Sequence, residues 1–243
     1  MRFLLTRPLE DSTKLAQMLE AAGHQAMIEP MMDIRVLAFD PPKDPSGYQA
    51  VIFTSANGVR AFRHHFPDVI LPVYAVGPAT AAEARLAGFT DIKSSSRDVE
   101  KLSQLIACDP ELDKNRPLLH VAGTVVAGDL AKLLQKVGFS VDRWQLYEAI
   151  RADQLSNPTL EMLDQGRIDA ITFFSPRTAR IFVDLVRQAG REHPLKQIKA
   201  LCLSDAIMDV IKSVAWKEIR VAPEPNQHSL FRDINIELEE KSS

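Results

Sequence analysis

The sequence predicts an α/β protein with two parallel, helix-covered sheets. Short apolar runs of strand length alternate with amphipathic segments of helix length. The alternating pattern occurs twice along the chain, which points to a duplication. The chain has 243 residues, 46% hydrophobic and 25% charged, an average globular balance whose length suits one large domain or two of ordinary size.

Taken in order, Phe3–Thr6 reads as a short buried strand. Asp11 or Ser12 caps a helix whose apolar face is Leu15, Met18, Leu19 and Ala22. Gly23 stops that helix, and Gln25–Pro30 restarts as a strand. This strand–helix–strand unit is segment A. Asp40–Gly47, rich in proline, is a loop. Ala50–Thr54 is the next buried strand, and Ser55 or Asn57 caps a helix through Val59, Phe62 and Arg63. Pro72–Val76 is a strand ended by Gly77, and Thr80–Leu86 is a helix stopped by Gly88. These four elements form segment B.

Both segments recur. Leu15, Ala16, Leu19 and Gly23 match Leu130, Ala131, Leu134 and Gly138 at a constant offset of 115 residues, and the strands led by Phe3 and Leu118 share it. Phe53-Thr54-Ser55 and Arg60-Ala61-Phe62 match Phe173-Phe174-Ser175 and Arg180-Ile181-Phe182 at an offset of 120, with Lys199–Leu203 as the following strand. The order is A, B, A′, B′. Gln25–Phe39 and Ser140–Ala152 stay extended past the usual strand length. If each runs from one sheet to the other, the chain crosses twice and both termini share a domain. A simple tandem, AB then A′B′, is the alternative. Residues 239–243 read as a frayed tail.

Several function classes are excluded at this level. With 29 basic and 32 acidic side chains, the net charge of −3 lacks the basic footprint of a nucleic-acid binder. Cys108 and Cys202 sit in apolar runs and read as buried reduced thiols. Neither they nor the six histidines have metal-ligand spacing. Phe3-Leu4-Leu5 is too short for a signal-peptide core, and no apolar stretch approaches a membrane span. A cytoplasmic protein is expected.

In parallel sheets, ligands bind beyond the carboxyl ends of the strands. The residues there are Thr6-Arg7-Pro8, Thr54 to Gly58, Gly77 to Thr80, Ala122-Gly123-Thr124, Ser175 to Thr178, and Ser204-Asp205. Small, hydroxylated and Gly/Pro turns expose backbone N–H groups at helix N-termini, an arrangement that binds anions. Each Ser or Thr taken singly reads first as a helix cap, and it is their repetition around several strand ends that points to an anion-binding cleft. Arg7 and Arg177 follow strands directly and suit a ligand carboxylate or a solvated surface. Asp169 reads as a turn residue and Asp205 as a cap. Tyr147 lies where the second long extended segment leaves its sheet, a core position with a second reading as a catalytic group. No Walker loop, nucleophile elbow or dinucleotide fingerprint is present.

The chain resembles the uroporphyrinogen-III synthase family over nearly its whole length. The resemblance rests on Leu5-Thr6-Arg7-Pro8, Ile52 to Val59, Val76 to Ala81, Val141 to Glu148 and Phe173 to Pro176, in that order. It implies two flavodoxin-like α/β lobes joined by a two-stranded β ladder. Lobe one comprises 1–35 and 153–243, lobe two 39–148, and the connecting strands 35–39 and 148–153. It further implies cyclisation of a linear hydroxymethylbilane with loss of water and inversion of ring D, with no metal or organic cofactor. The substrate bears acetate and propionate carboxylates on every ring. Tyr147 takes the role of proton donor to the departing hydroxyl. Thr6, Arg7, Ser55, Asn57, Gly77, Thr80, Gly123, Ser175 and Arg177 become substrate-binding positions. The turn at Ser204-Asp205 departs from the Gly-x-x-Thr of Gly77–Thr80. The implied protein is a monomer that takes its substrate by transient handover from hydroxymethylbilane synthase and touches neither nucleic acid nor membrane. The competing readings are a non-catalytic two-lobed sensor of small polyanions and a sugar-phosphate isomerase. The latter would want a base at a strand end, and no His or Glu is well placed for it.

Overall fold

The computed structural model describes residues 1–38, 44–95, 99–125 and 130–238. The proline-rich loop expected at 40–47 is described only from Asp44 onward, and the tail at 239–243 lies outside the described residues. The chain divides into two compact units, Met1–Asp33 with Ile150–Ser243 (the terminal unit) and Ile34–Ala149 (the central unit).

The elements run β1 (Arg2–Leu5), α1 (Leu9–Ala21), β2 (Gln25–Ile28) and β3 (Met32–Val36), the last carrying the chain into the central unit. That unit holds β4 (Val51–Phe53), α2 (Ala56–His65), β5 (Val73–Val76), α3 (Pro78–Leu86), β6 (Ile92–Ser95), α4 (Val99–Ala107), β7 (Leu118–Gly123), α5 (Leu130–Lys136) and most of β8 (Val141–Arg151). The chain then returns through α6 (Asn157–Asp164), β9 (Ala170–Phe173), α7 (Pro176–Gln188), β10 (Lys199–Cys202), α8 (Asp205–Ile211), β11 (Glu218–Val221) and α9 (Gln227–Arg232).

The terminal sheet has the order β11-β10-β9-β1-β2 and the central sheet β3-β8-β7-β4-β5-β6. Strands β1, β2, β9, β10 and β11 pair in parallel, as do β4 to β8. Parallel strands covered on both faces need apolar residues in succession, and β1 and β4 supply them. Phe3 and Leu5 face one buried cluster with Leu15, Leu19 and Phe231, while Leu4 faces the other with Ile171, Phe173 and Phe182. In β4, Val51 and Phe53 face Phe62 and Phe89, while Ile52 faces Leu102, Leu130 and Leu134.

Several expectations need correction. Neither Asp11 nor Ser12 caps α1, which starts at Leu9 after Pro8, whose fixed φ suits the turn. Ser12 Oγ instead donates to the Arg7 carbonyl at 2.9 Å. Asp205 is the first residue of α8 rather than its cap, which is Ser204. The thiols differ: Cys202 is buried in the core, where burial pushes it up to about 12, whereas Cys108 is exposed at the end of α4. Asp169 does more than turn the chain. Its carboxylate accepts from the Arg2 backbone N–H at 2.7 Å and pairs with the guanidinium at 2.8 Å.

Five elements have no counterpart among the expected ones: β6, α4, α6, β11 and α9. Strands β6 and β11 sit at sheet edges, where a single partner suffices and the apolar signal is weak. Helix α6 is anchored from afar. Buried Glu29, at the end of β2, accepts from Ser156 N–H at 3.0 Å and from the hydroxyls of Ser156 and Thr159.

Candidate active site

The carboxyl edge of the central sheet gathers β4, β5 and β7 with the turns that follow them. Ser55 caps α2, its Oγ accepting from Asn57 N–H at 3.2 Å, which decides between the two expected caps. Gly77 caps α3 at φ +81°, a conformation natural to glycine, and Pro78 opens the helix. Thr80 is buried in its first turn. Neither α2 nor α3 has an acidic residue in its first turn, so the positive end of each helix dipole is left uncompensated by its own helix.

Arg60 on α2 joins the two helices. Its Nε and Nη2 donate to Glu83 of α3 at 2.9 and 3.1 Å, a bidentate pair, and its Nη1 donates to Asn57 Oδ1 at 3.0 Å. The Asn57 carbonyl is thereby engaged, and its amide NH2 is the end that an anion can use.

Tyr147 lies beside this edge. From Arg143 to Leu146 the residues of β8 alternate between exposed and buried, and then Tyr147 is buried as well, 9% exposed. The pairing explains the break. Ala122 faces Gln145, but Gly123 faces Tyr147, so Leu146 is the extra residue of a β-bulge. A bulge re-aims the side chain beside it. The Tyr147 ring rests on Gly123, where an added Cβ would stand 2.9 Å from Cε2 and 3.0 Å from Cζ. Thr124 N–H donates to the Tyr147 carbonyl at 3.0 Å.

At the carboxyl edge of the terminal sheet, Ser175 caps α7, accepting from Thr178 N–H at 3.1 Å. Arg177 is exposed in the first turn of α7, where the dipole disfavours a cation and favours the anion it would bind. Arg7 is held over the Phe174 ring, 4.6 Å from its centroid, and bonds Asp11 at 2.9 Å and Gln227 at 3.3 Å. The Thr6 hydroxyl is turned inward, fully buried, and donates to the Thr172 carbonyl at 2.6 Å, so it supports the edge without presenting a donor there.

Comparison with known proteins decides the family. The model of the family described as uroporphyrinogen-III synthase HemD matches residues 13–232. The chain belongs to the uroporphyrinogen-III synthase family. Its function therefore lies in tetrapyrrole biosynthesis, as an enzyme acting on a small-molecule substrate. The uroporphyrinogen-III synthase of Chlorobaculum parvum is 25% identical over 193 residues, covering 75% of this chain and 78% of that protein. Among solved structures, uroporphyrinogen-III synthetase from Helicobacter pylori matches with a TM-score of 0.57 at 14% identity, covering 97% of this chain and 99% of that one. A mutant uroporphyrinogen III synthase from Thermus thermophilus matches at 0.54 and 15% identity, with 97% of both chains covered. These two likenesses show the two-sheet α/β fold.

Within this family member, three features escape a reading of local sequence: the bulge at Leu146, the Arg60–Glu83 clamp and His120. His120 lies mid-strand in β7, 4% exposed, with Nε2 3.5 Å from Thr54 Oγ1. Burial, and secondarily the Arg143 charge, pushes it down to about 4 from an ordinary 6.5. The folded protein therefore refuses a proton that the unfolded chain accepts, and stability falls as pH drops below 6.5. Urea unfolding at pH 7.5 and 5 should show a loss of about 2 kcal/mol from this group. His120→Gln should flatten the pH dependence by that amount. An identical slope in the variant would remove His120 as the cause. No helix among the described residues is long and apolar enough to cross a membrane, and no group of three or more His, Cys, Asp or Glu among them is arranged to hold a metal.

Proposed function

We propose that the chain converts linear hydroxymethylbilane to uroporphyrinogen III as a cyclising hydro-lyase. The observation that carries this reading is the seating of Tyr147 on Gly123 at the carboxyl edge of the central sheet, in a chain of this family. A phenol holds its proton at neutral pH and gives it to a leaving oxygen as that bond breaks. Tyr147 donates to the hydroxyl of the terminal hydroxymethyl group, the carbon–oxygen bond breaks, and water departs. The exposed methylene bonds to the substituted α-carbon of ring D and forms a spiro intermediate. The bond from that carbon to the methylene of ring C breaks, and the freed methylene bonds to the unsubstituted α-carbon of ring D, which inverts the ring and leaves that carbon with a proton to lose. The proton shed when the macrocycle becomes aromatic in its pyrroles restores the phenol. Proton balance is kept without a metal or organic cofactor.

The remaining residues position the substrate. It is anionic on every ring, and the chain is itself net acidic, so binding must be local. In the central unit the N–H groups of Ala79 and Thr80 in the turn capped by Gly77, the Ser55 hydroxyl and the Asn57 amide take carboxylates, while the Gly77 N–H itself is held by the Ser95 carbonyl at 3.0 Å and Gly123 leaves space against Tyr147. In the terminal unit Arg7, Ser175 and Arg177 do so, with Thr6 holding the turn that carries Arg7. Holding a flexible bilane in one conformation is an entropic task, and suits backbone donors more than reactive side chains. The bilane also closes unaided in water to the uninverted isomer, which favours a short path from its producer. The chain accordingly works as a cytoplasmic monomer with transient handover from hydroxymethylbilane synthase.

The test supplies the bilane from porphobilinogen and its deaminase, adds this protein, and separates the oxidised products as isomers I and III. Predominant isomer III is expected. Isomer I alone, from folded protein, would overturn the reading.

A further inference from the structure

We infer that Arg143 is a positioning residue for Tyr147, acting through the single peptide group between Gly123 and Thr124. This rests on the proposed role of Tyr147 and extends it to a residue that holds the backbone beneath the ring.

Arg143 on β8 lies opposite His120 in the strand register, yet its guanidinium reaches three residues further along β7. Nη2 donates to the Gly123 carbonyl at 2.8 Å and lies 3.3 Å from the Thr124 carbonyl. The same Gly123–Thr124 peptide has its N–H fixed on the opposite side, where Thr124 N donates to the Tyr147 carbonyl at 3.0 Å. One peptide plane is thus pinned at its oxygen by Arg143 and at its nitrogen by the tyrosine. That plane also begins at the glycine on which the tyrosine ring rests.

The lock is needed because of what occupies the position. Glycine tolerates backbone conformations closed to other residues, so a Gly–Thr peptide can rotate cheaply. Rotation would break both hydrogen bonds and tilt the floor beneath the ring. Any larger residue at 123 would stiffen the peptide but collide with Tyr147. Glycine clears the ring, and Arg143 restores the rigidity that glycine gives up. A hydrogen bond from a charged donor is stronger than a neutral one, which suits a lock at a partly exposed edge.

The chain contains three tyrosines, so 3-fluorotyrosine labelling yields three fluorine resonances, with the Tyr147 line assigned by Tyr147→Phe. Arg143→Met keeps the aliphatic stem and removes the donors. It should shift or broaden the Tyr147 line while leaving those of Tyr48 and Tyr74 in place. It should also lower kcat about tenfold with KM within about twofold, as expected for a misplaced catalytic group. Arg143→Lys, which can reach one carbonyl but not fork to two, should fall between wild type and Arg143→Met on both readouts; it also serves if Arg143→Met does not fold. An unmoved Tyr147 line with wild-type kcat in either folded variant would overturn the inference. Failure of the wild-type protein to make isomer III would instead overturn the proposed function, and the fluorine shift would still decide whether Arg143 holds Tyr147.

Discussion

Tyr147→Phe should lower kcat by about two orders of magnitude, the lower end of what a positioned general acid contributes. KM should stay nearly constant, because the proposed carboxylate contacts lie on other residues. The fold should survive: the ring keeps its seat on Gly123 and its place in the cluster with Val59 and Phe62. Loss of one hydroxyl costs about 1 kcal/mol in stability. Product identity sharpens the result. The bilane closes without help to isomer I, so a variant that turns over slowly should release a mixture shifted from III towards I. Steady-state kinetics with isomer separation checks both points. Wild-type kcat in the variant would remove Tyr147 as the proton donor.

Gly123→Ala should have the second largest effect, by a different route. No backbone strain is involved, since Gly123 is not among the glycines at positive φ. The added methyl meets one ring carbon at 2.9 Å, closer than real contacts allow, and a second at 3.0 Å, at that limit. That ring is short, buried and held on a strand, so it has little freedom to withdraw. Overpacking of this kind costs about 1–3 kcal/mol of stability. The larger consequence is displacement of the phenol, with a loss in kcat approaching that of Tyr147→Phe. In the double variant the losses in kcat should not add, because both changes remove the same group. Thermal unfolding and kinetics on the four proteins of the cycle test this. Additive losses would mean that Gly123 acts on the reaction independently of Tyr147.

Much of the fold was legible because the signals are local. Apolar triplets such as Phe3-Leu4-Leu5 and Val51-Ile52-Phe53 mark strands buried on both faces, and Ser55 and Ser175 mark helix starts that the structure confirms. Where the signal was weak, local reading erred. Ser12 is a good capping residue, yet Pro8 had already started the helix and the hydroxyl turned to Arg7. Cys108 follows an apolar run, yet falls just past the last turn of α4 and stays exposed. The Thr6 hydroxyl belongs to the core, a fact set by Thr172, 166 residues away.

The sequence by itself determined the α/β class, the duplicated order of segments, the strand ends that carry the small hydroxylated turns, and the family. These depend on periodicity and on short runs of residues, which a chain displays before it folds. Only the tertiary structure decided the sheet orders, the bulge at Leu146, the seat of Tyr147 on Gly123, and the reach of Arg143 to that same peptide. Each joins residues far apart in sequence. Strand register is set by the whole sheet, and a shift of one residue would turn Tyr147 to the opposite face. No local pattern records that choice, because the energy that makes it comes from packing between strands that meet only in the folded protein.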